Sequence, residues 1–170
     1  HDGLPSRVVV GVGLARFSDG IEAQWVGTLG GAVRRVAERW QPLLPERYRD
    51  RAVYDVLTDP GGRIWYATQL GVLMQEGERW QAFGFGAGQA ALSVSHLAWI
   101  DGALWIGSHR CGLARISGES LQRFSAADGD MGNHLRDIHF IDEHTLLVAT
   151  EDRGVGRLQW SDASAERPTM

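Results

Sequence analysis

A four-residue pattern recurs four times along the 170-residue chain at almost equal spacing. Each copy has a large apolar residue, a second apolar residue, a very small residue and a hydroxyl residue, in that order. The copies begin 40, 40 and 42 residues apart. Their large, small and hydroxyl positions are Trp25, Gly27 and Thr28; Trp65, Ala67 and Thr68; Trp105, Gly107 and Ser108; and Leu147, Ala149 and Thr150. An internal repeat of about forty residues implies that one structural unit is built four times.

The segments around this pattern recur as well, which separates a true repeat from four chance matches. A stretch rich in strand-forming residues precedes each copy, at residues 8–17, 53–58, 94–100 and 135–141. A turn sequence such as Asp-Pro-Gly-Gly at 59–62 leads from that stretch into the pattern, and such sequences favour tight hairpins. A further glycine, a short apolar alternation and a closing aromatic residue follow. Each copy therefore predicts four strands joined by short turns.

Four short antiparallel strands with a period near forty are typical of a β-propeller blade, the small sheet from which such folds are built. The fold class we predict is all-β: a β-propeller or part of one, with four blades of four antiparallel strands. We expect the blades at about residues 6–44, 49–85, 92–126 and 133–160 and a polar tail or linker at 161–170.

The tryptophans that open three of the copies are predicted to pack between neighbouring blades. Side chains alternate between the faces of a strand, so each tryptophan shares a face with the small residue two places on. One buried tryptophan contributes about 2–3 kcal/mol of apolar transfer. Leu147 takes this place in the last copy and predicts a looser contact there. Stacking of some of the seven tryptophans on a ligand is the alternative.

The hydroxyl residues that close the pattern stand just before a turn, where they can bond to nearby backbone. A catalytic serine or threonine would need a base and an orienting acid at one place only. Four equivalent copies therefore argue against a nucleophile at this position.

The copies share one general order: a strand, then Asp-x-x-Gly-x-[Ile/Leu]-Trp-x-Gly-Thr, then x-x-Gly-Leu. This order resembles the two-component regulator propeller repeat of bacterial sensory proteins. Residues 59–68 and 101–108 are the best copies, and the resemblance covers about residues 1–160. It departs from the family pattern at Ala67, Ser108, Leu147 and Ala149. Such propellers form the extracytoplasmic sensing region of hybrid histidine kinases or diguanylate cyclases. The resemblance therefore implies a periplasmic sensor region of an inner-membrane protein.

Composition and motifs count against several other classes of function. The net charge of −4 and the lack of a basic block disfavour nucleic-acid binding. No apolar run is long enough to span a membrane, so we expect no membrane contact by this segment. The glycine-rich residues 84–88 open no helix, and the acidic residues 128–133 lack the bidentate acid of a calcium loop. We predict no cofactor, no metal and no catalytic residue.

One group of loop residues stands out as a candidate ligand site. The segment after the hydroxyl position carries Gln69 in one copy and is one residue longer, with charged side chains, in the last two copies. In propellers, loops on one rim surround the mouth of the central channel, and rigidly held loops often carry binding residues. The candidate ligand-binding residues are Gln69, His109, Arg110, Glu151, Asp152 and Arg153. A solvated charged turn is the other interpretation of the same residues.

The function we predict is that of a noncatalytic sensory input module that binds a small molecule or a protein. A protein-interaction scaffold is the second hypothesis, and a propeller-fold lyase or hydrolase is the third, because fold does not determine function. An incomplete set of blades leaves unpaired sheet faces and edges exposed. We therefore expect self-association or pairing with further blades.

Overall fold

The computed structural model describes residues 3–83, 94–108, 112–118, 120–124, 135–142, 144–151 and 153–159. They form an all-β structure that divides into two compact units, His1–Val94 and Ser95–Met170. Within these described residues, no helix has the length and apolar character that a membrane crossing requires.

Unit 1 contains two four-stranded antiparallel sheets in which the strands follow chain order. Sheet 1 consists of β1 Val9–Arg16, β2 Glu22–Thr28, β3 Gly31–Val36 and β4 Arg39–Pro42. A short 3-10 helix, Glu46–Tyr48, leads to sheet 2, which consists of β5 Val53–Thr58, β6 Ile64–Thr68, β7 Gly71–Glu76 and β8 Arg79–Phe83.

Unit 2 contains two further sheets with the same strand order. Sheet 3 consists of β9 Val94–Ile100, which begins at the boundary between the units, β10 Ala103–Ser108, β11 Gly112–Ser117 and β12 Ser120–Phe124. Sheet 4 has three strands in the described part of the chain: β13 Leu135–Asp142, β14 Thr145–Thr150 and β15 Gly154–Gln159. In every sheet the recurring tetrapeptide ends the second strand.

Asp59 shows how a turn of the repeat is held together. Its buried carboxylate accepts hydrogen bonds from Arg63 Nε at 2.7 Å, Trp65 Nε1 at 3.0 Å and the Arg63 backbone N–H at 3.0 Å. Burial by itself would raise the pKa of Asp59, but the bonds from Trp65 and Arg63 outweigh that effect and hold the pKa below its ordinary value. The turn and the tryptophan that follows it are thereby joined.

Sheets 1 and 2 pack face to face in unit 1. Trp25 lies on the face of sheet 1 that is turned to sheet 2 and is 3% exposed, in one core with Val56, Tyr66 and Leu73 of sheet 2. The sheets also share a hydrogen bond from Thr58 Oγ1 to the carbonyl oxygen of Arg16 at 2.6 Å. The two faces are therefore the complementary halves of one interface.

Glycine allows the backbones of these two sheets to approach closely. A Cβ added at Gly27 would collide with the carbonyl oxygen of Val53, the first residue of β5. At the equivalent place in sheet 3, a Cβ on Gly107 would meet Ile138 at 3.5 Å, an ordinary van der Waals distance. The small residue of the repeat is thus required at Gly27 and merely accommodated at Gly107.

Sheets 3 and 4 of unit 2 pack in the same manner. Trp105 is 3% exposed and stacks on Phe124, with ring centroids 5.5 Å apart, while Phe140 of sheet 4 meets it edge to face at 5.8 Å. Ile138 and Val148 complete the core from sheet 4. The tryptophan of the repeat is a core residue in this unit as well.

Candidate functional site

The hydroxyl residues of the repeat hold the turns that follow them. Thr28 Oγ1 donates a hydrogen bond to the carbonyl oxygen of Gly31 at 2.8 Å and accepts one from the N–H of Gly30. Thr68 makes the same pair of bonds around the β6–β7 turn. Thr150 donates to the Gly154 carbonyl at 3.0 Å. These hydroxyls therefore stabilise the turns beside them, and each turn holds the residue after the hydroxyl in a defined position.

The residue directly after the hydroxyl differs between the sheets. Gln69 Oε1 accepts a hydrogen bond from the N–H of Ala52 at 3.2 Å, so its side chain is bound to the backbone of its own unit. Glu151, at the equivalent place in sheet 4, instead forms an ion pair with Arg136 at 2.8 Å. Arg153 is exposed, and its N–H donates to Thr150 Oγ1. His109, Arg110 and Asp152 lie outside the described residues.

A β-bulge lies at the start of β13, beside the ion pair of Arg136 and Glu151. Leu135 pairs with Thr150 and Asp137 pairs with Ala149, so Arg136 is the extra residue of the first strand. A bulge interrupts the ladder of hydrogen bonds and changes the direction of nearby side chains. Asp137 Oδ1 accepts the N–H of Ile138 at 2.8 Å, which stabilises the irregular backbone. Asp55 in sheet 2 does the same for Val56.

His96 of β9 completes the group from the neighbouring sheet of unit 2. Its Nε2 lies 3.6 Å from Asp137 Oδ1, a distance at which an ion pair forms when the imidazole is protonated. His96 Nδ1 is buried and has no hydrogen-bond partner among the residues that the structure describes. The imidazole therefore presents Nε2 as its accessible polar atom. We call His96, Arg136, Asp137 and Glu151 the unit 2 charge cluster.

The unit 2 charge cluster is accessible to solvent and carries both signs of charge. The side chains of Arg136 and Glu151 are 54% and 55% exposed, and that of Asp137 is 64% exposed. Exposed ion pairs contribute only about 0–1 kcal/mol to stability, so a ligand can replace them at little cost. The cluster offers guanidinium and imidazole donors next to carboxylate acceptors on strands that a packed core holds in place.

Three members of this cluster were missed in the sequence analysis, which selected loop residues after the tetrapeptide. His96, Arg136 and Asp137 lie at the start of first strands, where the sequence shows only an apolar run with polar interruptions. A signal was nevertheless present, because the place opposite the small residue of the repeat holds Gly11, Asp55 and Asp137 in three sheets. The charge at this position therefore varies within an otherwise regular repeat, although Gly11 itself lies in close contact with the backbone of Tyr54.

No group of three or more metal-ligating side chains is present among the described residues. The polar groups of the unit 2 charge cluster are two carboxylates, one imidazole and one guanidinium. Such a set is suited to hydrogen bonds and charge pairing with a ligand.

Comparison with known proteins finds solved structures that resemble this fold. No protein-family model and no curated protein matches the chain. The extracellular domain of a hybrid two-component system from B. thetaiotaomicron matches all of it at 20% identity with a TM-score of 0.76. The extracellular domain of a one-component system from the same organism matches 94% of it at 16% identity with a TM-score of 0.67. Virginiamycin B lyase from Staphylococcus aureus matches 96% at 17% identity with a TM-score of 0.60.

These similarities concern the fold. The chain spans 23% and 21% of the two B. thetaiotaomicron chains and 60% of the lyase chain. The strand order within each sheet and the antiparallel four-stranded units are consistent with a propeller-like fold.

Proposed function

We propose that this chain is a noncatalytic, propeller-type binding module that acts as the sensory input of a bacterial signal-transduction protein outside the cytoplasm. The similarity to extracellular domains of two-component and one-component systems supports this role. So does the resemblance of the repeat to the two-component regulator propeller family. The observation that carries the proposal is the unit 2 charge cluster, an exposed and rigidly supported set of donors and acceptors.

The charge balance of the cluster suggests what kind of ligand it binds. Arg136 is paired with Glu151 and His96 lies beside Asp137, so each carboxylate of the site has a nitrogen atom of a basic side chain next to it. A strongly charged ligand would leave one carboxylate or the guanidinium facing a like charge. We infer a small polar ligand without net charge, such as a zwitterion or a neutral polyhydroxylated compound.

A thermal-shift experiment tests the proposal. Neutral amino acids and neutral sugars are compared with citrate, putrescine and inorganic phosphate as charged probes. A compound present at about a hundred times its Kd should raise the Tm by roughly 5–10 °C. We expect at least one uncharged or zwitterionic probe to do so, and the absence of any shift from such probes would contradict the proposal.

Matched variants show whether the cluster is responsible for a shift. Arg136→Ala and Asp137→Ala should each abolish the ligand-induced rise in Tm. Arg49→Ala removes a comparably exposed ion pair with Glu46 in unit 1 and serves as the control. A shift that survives in both cluster variants would locate binding elsewhere.

Catalysis and scaffolding are the two alternative functions. Catalysis finds some support in the imidazole–carboxylate pair, because such a pair can act as a general base. Against it, Ser95 donates its hydroxyl to the carbonyl oxygen of Gly107 at 3.2 Å, and the threonines of the repeat donate theirs to their turns. Mass spectrometry of the stabilising probe after incubation separates the cases, since an enzyme would convert it and a sensor would return it unchanged.

A further inference from the structure

Sheet 1 has an apolar outer face, opposite to the one that packs on sheet 2. Strand register places Val12, Leu14, Gln24 and Val26 on this face, and Trp40 lies beside them. Val12 and Leu14 are 68% and 64% exposed. Together these side chains line a shallow groove of about 420 Å³. The polar residue Arg35 forms an ion pair with Glu38 of its own sheet.

The repeat shows what normally covers such a face. In sheet 2 the places of Val12 and Val26 are held by Val56 and Tyr66, since Val56 pairs with Tyr66 as Val12 pairs with Val26. Val56 is 7% exposed and Tyr66 is fully buried. The face of sheet 1 that bears Trp25 covers them. The outer face of sheet 1 is thus one half of an interface whose complete form exists inside unit 1.

Sheet 4 has an uncovered face of the complementary kind. Val155 pairs with Ala149 as Ala32 pairs with Gly27, so Val155 holds the place of a residue that sheet 2 helps to bury. Ala32 is 3% exposed, whereas Val155 is 69% exposed. Leu147 holds the place of Trp25 on this same face.

By strand register, this face of sheet 4 also carries Asp137 opposite Ala149 and His139 opposite Leu147. Its arginine is compatible with burial. Arg157 pairs with Leu147 as Arg34 pairs with Trp25. Arg34 is accommodated in unit 1 because Asp19 binds it at 2.7 Å and the ring of Phe17 lies against its guanidinium. An arginine at this place is therefore compatible with a covered sheet.

We propose that a second copy of this chain covers the outer face of sheet 1. The second copy makes this contact with the face of its sheet 4 that bears Leu147 and Val155, which we call the outer face of sheet 4. Each copy then supplies the counterpart of one face of the interface between sheets 1 and 2. Asp137, His139 and Ala149 hold the places of Gly11, Gly13 and Gly27, so the backbones lie further apart in this contact than in unit 1. Such a contact joins two different surfaces and is heterologous, so copies associate head to tail. Leu147 fills less space than tryptophan, which makes this contact weaker than the one in unit 1.

Sedimentation velocity over a wide range of protein concentration tests the proposal. The wild-type chain should pass from monomer to larger species as its concentration rises. Val12→Asp and Val155→Asp should each weaken association by roughly 100-fold or more, because each buries an unpaired carboxylate in the contact. Leu70→Asp changes an apolar side chain that is 47% exposed on a turn, and it should associate like the wild type.

Mixing the two variants provides the decisive arm. Val12→Asp retains an intact sheet 4 face and Val155→Asp retains an intact sheet 1 face, so an equimolar mixture should form a one-to-one dimer although each alone is monomeric. Thermal melting checks that both are folded, and Val12→Ser and Val155→Ser are a milder second pair. A monomeric wild type would overturn the proposal and leave the face to a different sheet. So would a mixture that stays monomeric, or a Val155→Asp variant that associates normally.

Discussion

At the scale of single residues, an aspartate lies in the first turn of both sheet 1 and sheet 2, and its surroundings determine how much it contributes to stability. Asp59 is buried and binds both Arg63 and Trp65. Asp19 holds the same place in sheet 1 but turns its carboxylate to Arg34, whose hydrogen bond lowers the pKa of Asp19. Asp19 therefore does not bind Trp25 as Asp59 binds Trp65, and none of the described residues accepts a hydrogen bond from Trp25 Nε1.

Replacement of Asp59 is therefore expected to be more harmful than replacement of Asp19. Asp59→Ala leaves the buried indole N–H of Trp65 without an acceptor and should lower the free energy of unfolding by about 2–3 kcal/mol. Asp19→Ala breaks a more exposed pair and should cost no more than about 1 kcal/mol. Urea denaturation followed by tryptophan fluorescence measures both. Equal losses would contradict the role given to the Asp59–Trp65 hydrogen bond.

The same carboxylate predicts a dependence of stability on pH. The pKa of Asp59 is lower in the folded chain than in the unfolded chain, where it is about 4, so the unfolded state binds the proton more readily. This contribution is fully present above the unfolded pKa and is lost as the pH falls through the folded pKa. The Tm of the wild type should fall more steeply below pH 4 than that of Asp59→Asn. Parallel acid profiles for the two proteins would contradict this.

Single residues also show what the sequence could predict. The threonine hydroxyls before a turn were expected to bond to local backbone, and Thr28, Thr68 and Thr150 do. That inference works because the partner lies three or four residues away. The approach of His96 to Asp137 joins residues forty-one positions apart in two sheets, and no local pattern records it.

At the scale of strands and sheets, close backbone approach separates the glycines of the repeat into two kinds. Gly27 faces the carbonyl oxygen of Val53, whereas Gly107 has space beside Ile138. Alanine already occupies the equivalent place in sheets 2 and 4, as Ala67 and Ala149. The small residue is thus a requirement of one particular contact, and the repeat as a whole tolerates a methyl group.

Alanine substitution at these two glycines tests that distinction. Gly27→Ala forces the backbones of β2 and β5 apart and should cost about 2 kcal/mol or more. Gly107→Ala meets an ordinary contact and should stay within about 1 kcal/mol of the wild type. Denaturant midpoints for the two variants measure the difference. A destabilising Gly107→Ala beside a neutral Gly27→Ala would show that the packing of sheet 1 on sheet 2 is wrongly described.

Strand bounds were predictable where the repeat is regular. The stretches 53–58 and 94–100 coincide with β5 and β9. The bulges at the starts of β1, β5 and β13 were not predicted. A bulge adds one residue to a strand but changes the alternation of apolar and polar residues too little to be recognised in the sequence. The charge cluster depends on the bulge in β13 and was missed for that reason.

At the scale of the whole molecule, the same repeat produces both a constant frame and variable positions. Tryptophan, the small residue and the hydroxyl build the sheets, while the place opposite the small residue and the place after the hydroxyl differ from copy to copy. In unit 2 these variable places hold opposite charges that meet. Residues at those places can be substituted without a change in the residues that build the sheets. A binding module of this kind could change its ligand through such substitutions alone.

Hydrogen–deuterium exchange with the most stabilising probe of the thermal-shift series tests this account most directly. We predict slower exchange in the peptides that contain the first residues of β9, the first residues of β13 and the β14–β15 turn, with unit 1 unchanged. Arg136→Ala should remove that protection. Protection confined to sheet 1, or an unchanged exchange pattern in the presence of a stabilising probe, would contradict the claim that the unit 2 charge cluster is the binding site.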